Sequence, residues 1–178
     1  MIYLFLANGF EEMEALTPLD MLRRVGVEVK TVGITGKMVM GSHQISVVAD
    51  VLQEDVDFSE MEGVILPGGM PGTLNLEKSS VVQKAIEHCF ETKKLIAAIC
   101  AAPSILGHKR ILKDKNVTCF PGFEKECEDA TVLTDKVVVD GNIITAKGAG
   151  CALAFGSAIV AYLKGEQTSL KLLQDMQV

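Results

Sequence analysis

Cys100 stands where an aliphatic run, Leu95-Ile96-Ala97-Ala98-Ile99, stops and helical spacing begins with no loop between. Pro103 fits such a helix only in its first turn, where backbone N–H groups have no intrahelical acceptor. The thiol is therefore expected near a helix N-terminus, whose partial positive charge favours thiolate and lowers the thiol pKa. Small residues, Ala98 and Ala102, stand two before and two after the cysteine. A sharp strand-to-helix elbow that presents a nucleophile needs small residues at those offsets, as in the G-x-S-x-G turn of hydrolases. The position is also the carboxyl end of a strand, where open α/β sheets bind ligands.

A nucleophile needs a proton-transfer partner and donors for a developing oxyanion. Gly68-Gly69, closing a second strand, reads either as a backbone N–H donor beside that of Ala101 or as a plain tight turn. Glu11, Glu12 and Glu14 follow the first strand, and acids there also suit the first turn of a helix. Spacing alone does not say which of them reaches Cys100. Only three histidines exist, His43, His88 and His108, and none directly follows the cysteine. His108 falls about two helical turns beyond the elbow, so a Cys–His triad is not expected. Gly148-Ala149-Gly150-Cys151-Ala152-Leu153 lacks the last glycine of a dinucleotide fingerprint, and Gly68–Thr73 lacks the GK[ST] of a phosphate loop.

The elements that position these groups alternate short apolar runs with longer amphipathic ones, the pattern of βα units around a largely parallel sheet. Strands are expected at 2–7, 27–33, 63–66 and 95–99, with short ones at 117–120, 131–133, 137–139 and 142–146. Asp140-Gly141 marks a hairpin turn. The stretch 44–51 alternates weakly and is expected to form a hairpin with its neighbours. Helices are expected over 11–25, 79–92 and 151–163, with a short one through 170–173. In the first, Met13, Leu16, Leu19, Met21 and Leu22 lie on the apolar side, and Pro18 predicts an irregular first turn or two.

The 178 residues suit one domain spanning 1–178, large enough to bury about 70% of its unfolded surface without staples. A net charge of −6 opposes nucleic acid as a partner, because phosphate backbones select basic faces. No apolar run reaches the ~18 residues of a membrane span. The five cysteines, at 89, 100, 119, 127 and 151, are odd in number and widely spaced, which favours reduced thiols in a cytosol. Four of them read as small buried hydrophobes. No CxxC pair occurs, so no metal site is expected.

Four segments in order resemble the ThiJ/PfpI superfamily, in the subgroup of the parkinsonism-associated deglycase. They are Gly9-Phe10-Glu11-Glu12-Met13-Glu14, Leu66-Pro67-Gly68-Gly69, Ala97-Ala98-Ile99-Cys100-Ala101 and Thr145-Ala146-Lys147-Gly148-Ala149-Gly150. The resemblance implies a three-layer, flavodoxin-like (Rossmann-like) α/β sandwich with a mostly parallel central sheet, and a homodimer. It implies that Glu14 hydrogen-bonds the reactive Cys100, with Gly69 and Ala101 as backbone donors and Gly68, His43 and Ala149 as candidate pocket residues. The chain departs from the pattern of some relatives. Ala101 stands where protease-like relatives carry histidine, and Ala149 replaces the proline of a Gly-Pro-Gly segment. His43 aligns loosely with a pocket arginine, and Asp129 is the nearest counterpart of a pocket histidine. The implied activity is that of a stress-protective glyoxalase or deglycase acting on dicarbonyls such as methylglyoxal, or on their early adducts, with no cofactor. The same residues also serve a redox sensor or chaperone working through oxidation of Cys100. A peptidase or amidase is disfavoured by the missing histidine.

Overall fold

The apolar run at the N-terminus becomes a central strand of a seven-stranded sheet in the computed structural model, which describes residues 1–178. The strands are β1 (Ile2–Leu6), β2 (Val29–Gly33), β3 (Met38–Met40), β4 (Ser46–Val48), β5 (Val51–Leu52), β6 (Gly63–Leu66), β7 (Leu95–Ile99), β8 (Asn116–Val117), β9 (Thr131–Val132), β10 (Val137–Asp140) and β11 (Ile143–Ala146). The helices are α1 (Glu12–Arg24), α2 (Gly72–Lys78), α3 (Ser80–Glu91), α4 (Pro103–His108), α5 (Ala152–Lys164) and α6 (Glu166–Asp175). The main sheet has the order β10-β11-β7-β6-β1-β2-β5, and every pairing is parallel except β10 with β11.

Both faces of this sheet are covered, which is why β1, β6 and β7 are apolar without alternation. Successive residues of β1 enter two separate cores. Tyr3 and Phe5 pack with Val82, Ile86 and Ile105 of α3 and α4. Ile2, Leu4 and Leu6 pack with Leu19 and Leu22 of α1 and with Phe155 and Ile159 of α5. That makes three layers, helix–sheet–helix. Because the strands run parallel, the segments after β1, β6, β7 and β11 leave the same edge of the sheet.

Several boundaries differ from the expectations, each for a physical reason. Pro18 lies inside α1, yet the helix runs unbroken from Glu12 to Arg24. Its Cα and Met21 press against Gly156 of α5 so closely that a Cβ at Gly156 would stand 2.5 Å from the Met21 sulfur. This packing holds the helix where local propensity weakens it. It also turns α1 so that Glu12 and Glu14 face inward and Met13, expected on the apolar side, is exposed. The hairpin expected at 44–51 forms between β3 and β4, while Val51–Leu52 departs to the edge of the main sheet. The strand expected at 117–120 stops at Val117, because the Thr118 N–H turns to the Thr145 hydroxyl instead of a neighbouring strand. Helix α2, not foreseen, follows the glycine-rich turn after β6. His108 ends α4 between Glu77 of α2 and Glu126, with its ring committed to those two carboxylates.

Candidate active site

Cys100 follows β7 directly and adopts φ = +65°, a left-handed conformation uncommon outside glycine. Three backbone hydrogen bonds hold it there. Its N–H donates to the Ala146 carbonyl (2.9 Å), its own carbonyl accepts from Phe120 N–H (2.8 Å), and Ala102 N–H closes a turn onto the Ile99 carbonyl (3.0 Å). Ala98 and Ala102, at the small-residue offsets, are completely buried. Such strain persists only where the surroundings over-determine it, and costs on the order of 1–3 kcal/mol.

Gly68 is the point of closest approach. A Cβ there would stand 2.7 Å from both the Cys100 Cβ and Glu14 Oε2. The missing side chain is therefore what lets the carboxyl and the cysteine share one recess. Gly68 N–H donates to Glu14 Oε2 (2.9 Å), and the Gly68 carbonyl accepts from Glu11 N–H (2.9 Å), so the β6 turn grips the start of α1 at two points. Gly69, at φ = +90°, turns its N–H toward the Cys100 sulfur, and the Ala101 N–H meets the sulfur from the other side. Glu11 caps α1 by accepting from Glu14 N–H (2.8 Å). The Glu14 carboxyl lies beside the Cys100 thiol, and its buried Oε1 has no hydrogen-bond partner.

This environment overturns the expectation of a thiol lowered by a helix terminus. Burial first, and the Glu14 carboxylate second, push the Cys100 thiol up to about 12, against the pull of the Ala101 and Gly69 N–H groups. Helix α4 is only six residues long and begins at Pro103, too short and too late to reverse this. Burial likewise raises Glu14 to about 7, against the hydrogen bonds from Cys100 and Gly68 N–H. Two acids thus compete to avoid a second negative charge in one dry recess. Near neutrality the thiol keeps its proton and Glu14 is the group that titrates, so the carboxylate is placed to accept the thiol proton when the sulfur attacks.

The other sequence-derived candidates divide. Gly68, Gly69 and Ala101 adjoin the thiol, and Ala149 follows Gly148, whose missing Cβ would lie 4.0 Å from Glu14 Oε1. His43 is exposed on the β3–β4 turn, where its Nδ1 pairs with Glu12 Oε2 (2.9 Å) and its N–H donates to Glu12 Oε1 (2.7 Å). Glu12 therefore ties the hairpin to α1 and does not serve the thiol. Glu11, Glu12 and His43 bring ligand-type atoms within 4.8 Å of one another, but both Glu12 oxygens are occupied by the hairpin. Asp129, the nearest counterpart of a pocket histidine, lies outside the recess. It is exposed, and its carbonyl accepts from Asp114 N–H. Phe120 takes the flanking position, with its ring edge 3.2 Å from where a Gly148 Cβ would be. The usable signal was Phe120-Pro121-Gly122, a turn directly after an apolar run at the same sheet edge.

One family model, described as the DJ-1/PfpI family, matches residues 1–162 of the chain. The chain belongs to that family. The Caenorhabditis elegans protein named glutathione-independent glyoxalase DJR-1.2 is 31% identical over 168 residues, 93% of this chain and 89% of the relative. Protein DJ-1 homolog B of Arabidopsis thaliana is 32% identical over 169 residues, and the chain spans only 39% of that longer relative. The crystal structure of Drosophila melanogaster DJ-1beta superposes with a TM-score of 0.93 at 32% identity, covering 99% of this chain and 97% of that one. The flavodoxin-like sandwich is thus the DJ-1 fold.

Within this family framework the buried carboxyl has a measurable cost. Its folded pKa, near 7, lies above the ordinary 4.5. The folded state therefore binds the proton more tightly, and this contribution is complete below pH 4.5 and lost as pH rises to 7. Glu14→Gln keeps an acceptor for Gly68 N–H and removes the ionisation. The variant is expected to be more stable than wild type by on the order of 1–3 kcal/mol above pH 7, with the gain shrinking toward pH 4.5. Urea denaturation of both proteins across that range checks this; a gain independent of pH would contradict it.

Proposed function

We propose that this chain, folded as one domain, is a cysteine-dependent enzyme of glyoxalase or deglycase type. It acts without glutathione on methylglyoxal-like dicarbonyls or their early adducts, in a reducing cytoplasmic setting. The observation that carries the reading is the buried Glu14 carboxyl set beside Cys100, pinned by Gly68 N–H and poised near neutral pH. A general acid–base works best when its pKa lies near the working pH. The name of the nematode relative points to the same chemistry.

In this mechanism the Glu14 carboxylate takes the Cys100 thiol proton as the sulfur forms a C–S bond to the aldehyde carbon, and the resulting alkoxide takes that proton from Glu14. The Gly69 and Ala101 N–H groups, which face the sulfur, lie beside the developing charge. The Glu14 carboxylate then removes the hydrogen of that carbon as a proton and passes it to the neighbouring ketone oxygen, which becomes the second hydroxyl of an enediol. Glu14 then moves the proton of the hemithioacetal-derived hydroxyl to the former ketone carbon as that hydroxyl becomes a carbonyl, leaving the thioester of a 2-hydroxy acid. Water cleaves the C–S bond and restores the thiol. The sum is dicarbonyl plus water to hydroxy acid, with no external oxidant or reductant.

The same two N–H groups and the unpartnered Glu14 Oε1 favour a second reading, in which an oxidised Cys100 is held as a sulfinate and the protein is a redox sensor or chaperone. Glutathione-free incubation with methylglyoxal separates the two. Wild type is expected to form the hydroxy acid, Cys100→Ser to form none, and Glu14→Gln to lose about 10²–10⁴ in kcat/KM. Absence of product from wild type, alongside peroxide oxidation of Cys100, would replace the first reading with the second.

A homodimer belongs to the same proposal. Met13 on α1, Met38 and Met40 on β3, Ile45, and Val48 on β4 are exposed apolar side chains. They belong to α1 and to the β3–β4 hairpin, which Glu12 and His43 join. A patch of this kind marks a protein interface. Light scattering is expected to give about twice the 19.1 kDa chain mass, and Met38→Lys with Val48→Glu is expected to give a monomer. A monomeric wild type at micromolar concentration would rule this out.

A further inference from the structure

Glu11 does more than the start of a helix requires. Serine, threonine, aspartate and asparagine are the favoured caps, because a short side chain reaches back to the free N–H groups. Helix α1 is capped instead by the longer Glu11, whose Oε2 accepts from Glu14 N–H (2.8 Å). The backbone of the same residue is also engaged. Glu11 N–H donates to the Gly68 carbonyl (2.9 Å), and Gly68 N–H donates to Glu14 Oε2 (2.9 Å). These three hydrogen bonds close a cycle from Glu11 to Gly68, from Gly68 to Glu14 and from Glu14 back to Glu11. Only two side chains take part, and one of them is the buried carboxyl beside Cys100. The cycle is tightly packed, since a Cβ at Gly69 would collide with Glu11 N and one at Gly68 would stand 2.7 Å from Glu14 Oε2. A shift of the Glu14 backbone breaks its bond to the Glu11 side chain, and a shift of the Gly68 turn breaks its bond to Glu11 N–H. Glu11 thus fixes both ends of the contact that orients the buried carboxyl. Its other oxygen, Oε1, lies 4.0 Å from Nδ1 of His43, a ring already paired with Glu12.

We propose that Glu11 is a positioning residue for the reaction proposed above, fixing Glu14 against the Gly68 turn and keeping a second negative charge beside the buried carboxyl. The role rests on Glu14 being the proton-transfer group. Orientation matters because a general base works only within hydrogen-bonding reach of the proton it takes. Charge matters because a neighbouring carboxylate disfavours ionisation of Glu14, in the same direction as burial and against the pull of Gly68 N–H. The titratable groups that face Glu14 are Cys100 from the elbow and Glu11 from the start of its own helix, whereas the Gly68-Gly69 turn and Gly148 present backbone alone. Glu11 therefore makes Glu14 a stronger base for the thiol proton, and it acts entirely through Glu14.

The test compares the full chain with Glu11→Gln and Glu11→Ala, reading the Glu14 carboxyl titration by carbon-13 NMR and the pH profile of methylglyoxal turnover without glutathione. Glu11→Gln keeps an acceptor at the same reach for Glu14 N–H and removes the charge, so the cycle stays closed. Glu11→Ala opens the cycle and removes the charge as well. The Glu14 midpoint, near 7 in wild type, is expected to fall in both variants, and the acid limb of kcat/KM to move to lower pH with it. Glu11→Ala is expected to lose in addition up to about 10²-fold in kcat with KM little changed, as for a catalytic group displaced by about 1 Å. Glu11→Gln is expected to keep the larger part of that kcat. A Glu14 midpoint unchanged in Glu11→Gln would overturn the proposal, because a plain helix cap has no hold on that titration. So would Glu11→Ala with the kcat of wild type. If wild type turns over no methylglyoxal, the glyoxalase reading fails on its own, and the two Glu14 titrations still decide the role of Glu11.

Discussion

A carboxyl group and a thiol share one dry recess, and much of the surrounding structure exists to make that tolerable. Both groups lose hydration, and two negative charges at hydrogen-bonding distance repel strongly in a low-dielectric site. The chain answers with few dipoles. Gly68 N–H holds one oxygen of Glu14, and the N–H groups of Gly69 and Ala101 face the sulfur. These are backbone donors on strand termini, and their positions are set by the sheet register rather than by flexible side chains. Electrostatic preorganisation of this kind needs no rearrangement when charge moves during reaction.

The constraint reaches outward from there. Gly68 must lack a side chain, because a Cβ would occupy the space of both the cysteine and the carboxyl. Cys100 must accept a left-handed backbone, which Ala146, Phe120 and Ile99 enforce by hydrogen bonds. Helix α1 must be rotated to bury Glu14, and that rotation is set by its contact with α5 at Gly156, where Pro18 and Met21 fit against bare backbone. Glu12, carried inward by the same rotation, is satisfied by the hairpin turn at Ser42 and His43. The stability given up in strain and in a buried acid is localised at the place where chemistry is proposed, as in other sites that trade stability for activity.

What the sequence reveals and what it hides follow from the range of the interactions. The elbow at Cys100, the Gly68-Gly69 turn and the strands β6 and β7 are legible because each is written in a few consecutive residues with one steric solution. Residues alone do not choose Glu14 over Glu11 and Glu12, because that choice depends on how α1 is rotated against a helix more than a hundred positions away. The family resemblance supplied Glu14, and the structure places it against the thiol. The Phe120-Pro121-Gly122 turn marks where the chain leaves the apolar run, but the approach of Phe120 to Gly148 crosses from one loop to another and is not written in either. The thiol's acidity was misjudged because a helix terminus is a local cue, whereas burial and a neighbouring carboxylate are tertiary ones.

The most direct test is the protonation of Glu14 itself. Carbon-13 labelling of glutamate carboxyl carbons, with Glu14 assigned by its absence in Glu14→Gln, allows its titration to be followed by NMR in the intact protein. A midpoint near 7 is expected, with the proton retained on the carboxyl beside the sulfur at neutral pH. A midpoint near the ordinary value of about 4.5 would mean that Glu14 is too weak a base to hold the proton that the sulfur gives up. In that case the proton relay that connects fold to function in this account would not exist.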